Sequence, residues 1–129
     1  MRKKTPARPT NSELSILNVL WSRSPATVRE VQAELNRVRP TGYTTVLKFL
    51  QIMTEKGLVT RDESERTHRY RAALSEEETQ KQLVADLAER AFGGSALRLA
   101  LHALGSKQTS AAELARIREF IDEMERRRK

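Results

Sequence analysis

The chain has 129 residues, 38% of them hydrophobic and 5% aromatic, with no cysteine and a formal net charge of +7. That length suits one small domain with an appendage, and it supports a modest, mostly aliphatic core. The missing cysteines exclude a disulfide scaffold, a cysteine zinc site and a thiol nucleophile. No apolar run reaches membrane-spanning length, and no apolar stretch follows the charged start MRKKTPARPTN, so the reading is a cytoplasmic protein without membrane insertion. The charge is uneven. Residues 1–75 hold 14 Lys and Arg against 7 Asp and Glu, and residues 76–129 hold 10 against 10. A basic half facing a polyanion and a neutral half with another task fit this asymmetry, although solubility alone would also produce a basic chain.

Residues 1–10 carry Arg2, Lys3, Lys4 and Arg8 between Pro6 and Pro9. They read as a flexible basic arm, more often a solvated tail than a minor-groove probe. Asn11 or Ser12 can cap a first helix running to about Ser22, with Leu14, Leu17, Leu20 and Trp21 on its apolar face; Trp21 belongs with the core. Pro25 marks a turn. Thr27 with Glu30 matches a capping box, and Val28, Val31, Leu35 and Val38 then step by three and four as a stripe to bury.

Pro40 separates this helix from the stretch around which the chain is organised, TGYTTVLKFLQIMTEKGLVTR, residues 41–61. Val46, Leu50 and Met53, with Phe49 beside them, share one helical face. Thr41, Thr44, Lys48 and Gln51 fall opposite, with Tyr43 and Thr45 at the edge. An ordinary solvated face is richer in Glu–Lys pairs. Threonine, glutamine and lysine can reach base edges and phosphates, so residues 43–56 read as a recognition helix. Its N-terminus can also hold a phosphate. Tyr43 has two readings, a phosphate hydrogen bond or packing against the second helix. Gly57 is placed to end the helix in a left-handed conformation. Beyond it, residues 58–72 read as a hairpin. Leu58 to Arg61 form one strand and Asp62 to Arg66 a turn. In the second strand His68, Tyr70 and Ala72 alternate with Thr67, Arg69 and Arg71. Arg69 and Arg71 can hold phosphates, whereas Asp62, Glu63 and Glu65 at the tip would repel them. Contacts should therefore come from the flank of the hairpin.

Ser75 with Glu78 is a second capping box, opening a helix to about Phe92 with Leu83, Val84, Leu87, Ala88 and Ala91 on its apolar side. Gly93 and Gly94 break the chain. Ser95 can cap a short helix ending at Gly105, whose Leu97, Leu99, Leu101 and Leu104 should be buried nearly all round. Ser110 with Glu113 is a third box, and Leu114, Ile117, Ile121 and Met124 form a heptad-like seam. Such a seam packs either within one chain or on a second copy, and the second copy is favoured. The dimerisation set is thus Leu97, Leu101, Leu104, Leu114, Ile117, Ile121 and Met124. The two histidines, His68 and His102, have no ligand-spaced partners, so no metal or other cofactor is expected. No catalytic motif is present either. The fold expected is mainly α with a small β-hairpin wing: a basic arm over 1–10, a winged helix-turn-helix over 11–74 and a helical dimerisation region over 75–129.

NSELSILNVLW, then TVREV, then YTTVLKFLQIMTEKGLV followed by THRYRA, resembles the penicillinase-repressor family, also called the BlaI/MecI transcriptional regulators. The likeness covers roughly residues 10–129. It implies a homodimeric winged-helix repressor of resistance or stress genes, bound to inverted-repeat operators often built on TACA and TGTA half-sites. In one branch of the family a membrane sensor-protease triggers cleavage between Asn and Phe in a motif like LVLNF. Here the matching stretch is Leu99-Ala100-Leu101-His102-Ala103, and neither side of the His102–Ala103 bond matches. Another branch senses copper through cysteines, which this chain lacks. Two rival readings differ in class: a winged helix that binds a protein through residues 41–55, and a repressor that senses a small molecule.

Overall fold

In the computed structural model, residues 8–106 and 108–128 are described; Arg2, Lys3 and Lys4 of the basic arm lie outside them. The element order is α1 (Asn11–Ser22), α2 (Val28–Asn36), α3 (Tyr43–Lys56), β1 (Val59–Asp62), β2 (Arg69–Ala72), α4 (Glu76–Ala91), α5 (Ala96–Gly105) and α6 (Ala111–Arg127). The chain is mainly helical with one antiparallel hairpin, as the patterning implies.

Helix starts follow from local hydrogen bonding. The Thr27–Glu30 box is formed in both directions, as are Ser75–Glu78 and Ser110–Glu113. Helix α1 differs from expectation. Its cap is Thr10, not Asn11 or Ser12, because only Thr10 has a glutamate three residues on to return the bond (Glu13). Gly57 ends α3 at φ 83, the left-handed region that costs a side chain strain. Gly93 and Gly94, at φ 58 and 82, turn the chain after α4. Helix α5 runs through Gly105 and is capped by Ser106.

The chain divides into two compact units between Leu83 and Val84, inside α4. The start of α4 stays with the first unit because Trp21 Nε1–H donates to the Leu74 carbonyl (3.0 Å) and Thr79 is buried. The first unit holds a continuous core. Ile16, Leu17 and Leu20 of α1 meet Val28 and Val31 of α2, Val46, Leu50 and Met53 of α3, and Leu58, Val59 and Tyr70 of the hairpin segment. Burying each large apolar side chain is worth roughly 1.5–3 kcal/mol, so these contacts fix the helix-turn-helix geometry. The α2 stripe is shorter than its spacing suggests. Val28 and Val31 are buried, Leu35 is half-buried, and Val38 is 88% exposed, because α2 ends at Asn36 and Val38 sits in the turn beyond it.

One buried ion pair crosses this unit. Glu13, 3% exposed, accepts from Lys56 Nζ at both carboxylate oxygens (2.8 and 2.9 Å) and from the Thr10 backbone N–H (2.9 Å). Burial pushes the carboxyl up, but the Lys56 and Thr10 hydrogen bonds and the Lys56 charge outweigh it and hold it below its ordinary value. The start of α1 is thereby fastened to the end of α3.

The second unit has no comparable core. Ala88 is buried, but Val84 and Leu87 are about half exposed, and α5 and α6 contain no buried residue. The expectation that Leu97, Leu101 and Leu104 are buried nearly all round fails for a single chain: they are 67%, 59% and 41% exposed. Two short amphipathic helices cannot enclose each other's apolar faces without another layer. Within this unit the His102 ring packs on Phe92 at 5.4 Å between centroids.

Candidate nucleic-acid interface

Helix α3 has the two faces its sequence implies. Val46, Leu50 and Met53 are fully buried and Phe49 is half-buried. Tyr43, Thr44, Thr45, Lys48 and Gln51 are exposed on the other side. Gly42 at the N-cap makes no side-chain capping hydrogen bond to the first turn of the helix. Lys48 is exposed, so its ammonium is open to an incoming acceptor.

Thr41 stands just outside α3. It precedes the helix and closes the turn. Its N–H donates to Asn36 Oδ1 (2.6 Å), its hydroxyl donates to the Arg39 carbonyl (3.0 Å), and its carbonyl accepts from Gln32 Nε2 (3.1 Å). Through Gln32 and Asn36, Thr41 ties the turn before α3 to α2. Asn36 and Gln32, which do this work, carry no distinctive sequence signal.

The hairpin pairs Val59 with Ala72, Thr60 with Arg71, Arg61 with Tyr70 and Asp62 with Arg69. The alternation places Tyr70 in the core at 1% exposure, with His68 and Ala72 half-buried. A third backbone segment anchors it. Ala26 N–H donates to the Tyr70 carbonyl (3.0 Å) and Tyr70 N–H to the Ala26 carbonyl (2.8 Å). This bridge, between the α1–α2 link and β2, was not legible in the sequence because a lone pair of residues has no periodicity.

Arg71 projects to solvent and Arg69 is half-buried. The tip carboxylates are not simply repulsive. Glu65 pairs with Arg69, and Glu63 pairs with Arg61. A phosphate approaching Arg69 has to compete with Glu65, although such an exposed pair is weak, with a value of about 0–1 kcal/mol. The Asp62 carboxyl is held below its ordinary value mainly by the Ser64 backbone N–H, with Arg71 and Arg69 contributing.

One cation absent from the sequence reading stands at this face. The Arg29 guanidinium lies over the Tyr43 ring, 5.1 Å from its centroid. Tyr43 therefore packs against α2, as one of its two readings has it, and stays 40% exposed while doing so. No group of three or more metal-ligating side chains occurs among the described residues, and none of their helices is long and apolar enough to cross a membrane.

The penicillinase-repressor family profile matches residues 9–123. The transcriptional regulator BlaI of Mycobacterium tuberculosis is 33% identical over 115 residues, covering 88% of this chain and 82% of that protein. Among solved structures, the Bacillus licheniformis BlaI monomeric form in complex with the blaP half-operator has a TM-score of 0.50 at 22% identity, covering 59% of this chain and 93% of that one. A solution structure of the DNA-binding domain of the repressor BlaI gives a TM-score of 0.51 at the same identity and coverage. These two likenesses concern the fold, a winged helix. The chain belongs to the penicillinase-repressor family, whose members are DNA-binding transcriptional regulators and not enzymes.

Proposed function

We propose that this protein is a homodimeric repressor that binds an inverted-repeat operator. Each subunit lays residues 43–56 in a major groove and sets the 58–72 hairpin on the flanking backbone. The observation that carries the reading is the exposed polar face of α3, Thr44, Lys48 and Gln51, set rigidly over a fully buried apolar face. Thr44 and Gln51 suit base edges, Lys48 a base edge or a phosphate, and Tyr43, Thr45, Arg69 and Arg71 the backbone. Membership of a repressor family and the BlaI complex with a half-operator support it.

The second copy is argued from α5 and α6. Leu97, Leu101, Leu104, Leu114, Ile121 and Met124 are exposed in a single chain, and Ile117 is half-buried. An amphipathic helix pair with this much open apolar surface is completed by a like surface, and a two-fold pairing is the simplest closed arrangement. Two subunits then read half-sites about 34–36 Å apart or a multiple of that. The regulated genes would be resistance or stress genes, and the place of action the cytoplasm. A membrane sensor-protease as partner has weaker support. The His102–Ala103 bond lies inside helix α5, and its flanking residues depart from Asn-Phe, so release by cleavage there is not part of this reading.

Selection of bound duplexes from a random pool at near-physiological salt tests the whole proposal. An enriched inverted repeat is expected. No enrichment, together with weak salt dependence and a tight protein partner, would overturn it in favour of a protein-binding winged helix, because DNA binding loses affinity steeply with salt through counterion release.

A further inference from the structure

Beside α3, the start of α2 and the β1–β2 loop with the start of β2 border a cleft of about 360 Å³, lined among others by Arg29, Tyr43, Leu47, Arg66, Thr67 and Tyr70. We infer that this cleft seats the sugar–phosphate backbone of the bound strand, with Arg29 and Arg66 as phosphate-holding residues on its two walls. The inference rests on the DNA-binding reading above and extends it to residues outside the α3 face and the strands of the hairpin.

Four observations carry it. The two arginines come from different elements, α2 and the β1–β2 loop, and both are exposed. No carboxylate lines the cleft. The nearest ones in sequence are engaged elsewhere: Glu30 accepts from the Thr27 N–H (2.9 Å) and pairs with Arg23 (3.2 Å), while Glu65 pairs with Arg69. The cleft is therefore a cationic recess, whereas Arg61 and Arg69 of the hairpin are paired with carboxylates. Its floor is apolar and aromatic, with Leu47 half-buried and Tyr70 buried, which suits a deoxyribose between two phosphates. Finally, Tyr43 belongs both to the cleft and to the first turn of α3, so a strand held there delivers the adjoining bases toward Thr44 and Lys48. The Tyr43 ring supports the Arg29 guanidinium. That lowers the conformational freedom the arginine gives up when it meets a phosphate. A small molecule is the rival occupant. The cleft walls are exposed cations and hydroxyls rather than an enclosed apolar lining, which favours the polyanion.

The test uses the full-length protein, a random-sequence duplex and fluorescence anisotropy across a salt series. Backbone contacts carry no sequence information, so no operator is needed. Arg29→Ala and Arg66→Ala are each expected to weaken binding about ten-fold and to lower the salt slope by about one. Arg29→Lys should restore the slope. Both alanine variants should melt like the parent protein, since neither side chain is buried. Wild-type affinity and slope in both variants would overturn the inference. So would unchanged DNA binding combined with loss, in Arg29→Ala, of a melting shift produced in the parent by adenosine monophosphate, which would make the cleft a small-molecule site. Loss of binding in Lys48→Ala but not in the cleft variants would sink the cleft alone. A parent protein with no salt-dependent duplex binding would sink the DNA-binding reading and the cleft with it.

Discussion

The winged-helix unit and the α5–α6 region use the same ingredients, capped amphipathic helices with aliphatic faces, and end in opposite states. In the first, apolar faces from three helices and a hairpin converge on one core, with Val31, Val46, Leu50 and Met53 fully buried. In the second, Ser110 forms a full capping box and Ser95 caps its helix through the Arg98 N–H, yet no residue of either helix is buried. Good capping and an apolar stripe thus make a helix without making a core. A core needs a third surface, supplied within the first unit by the hairpin and, on the reading proposed above, by a second chain for the other.

Substitutions at matched positions can break this contrast. The largest effect is expected from Leu50→Ala, which should cost about 2–5 kcal/mol in urea unfolding through the cavity it leaves. Ile121→Ala should cost far less in dilute monomer and act instead on association, read by sedimentation across a concentration series. Equal losses of unimolecular stability from the two would show that α6 already has an intrachain partner.

Next in size is Glu13→Gln, which leaves the Lys56 ammonium against a neutral amide and should cost roughly 1–3 kcal/mol. The pH dependence has a definite sign. The folded carboxyl is held below its ordinary value, so its contribution is fully present above the ordinary carboxylate range and fades as pH falls through the lowered value. Urea midpoints measured from pH 7 downward should fall less steeply in Glu13→Gln than in the parent. Parallel acid limbs would mean that the pair does not couple α1 to α3.

Caps sharpen the comparison at about 1 kcal/mol. Thr27→Ala should lower the cooperative unfolding midpoint, because α2 is built into the core. Ser110→Ala should mainly raise amide exchange in the first turn of α6 and leave that midpoint in place. The smallest effect is expected at Val38. Its side chain is 88% exposed, so Val38→Ser should stay within about 0.5 kcal/mol of the parent in the same unfolding assay.

Much of this was written in the sequence, because local rules decided it. The capping boxes at Thr27, Ser75 and Ser110, the glycine stop at Gly57, the two faces of α3 and the alternation through His68, Tyr70 and Ala72 all depend on residues within a turn or a strand of one another. The family was legible for the same reason, since its motifs are contiguous. The sequence was least informative where a neighbour distant in sequence, or an element end, decided the outcome. Val38 fits the spacing of a buried stripe, but α2 stops two residues before it. Thr41 fits the polar face of α3, but Asn36 and Gln32 capture it in the turn. Glu13 looks like a surface residue until Lys56, 43 positions later, meets it in the interior. Arg29 and Arg66 look like any other basic residues, and only folding brings them to one cleft beside Tyr43. Sequence by itself determined the helices, the hairpin, the stripe to be buried and the face to be offered, since periodicity and capping are short-range. Tertiary structure decided which stripes find a surface within the chain, which charges are neutralised and which cations stay available, since burial and Coulomb partners depend on distance in space rather than along the chain.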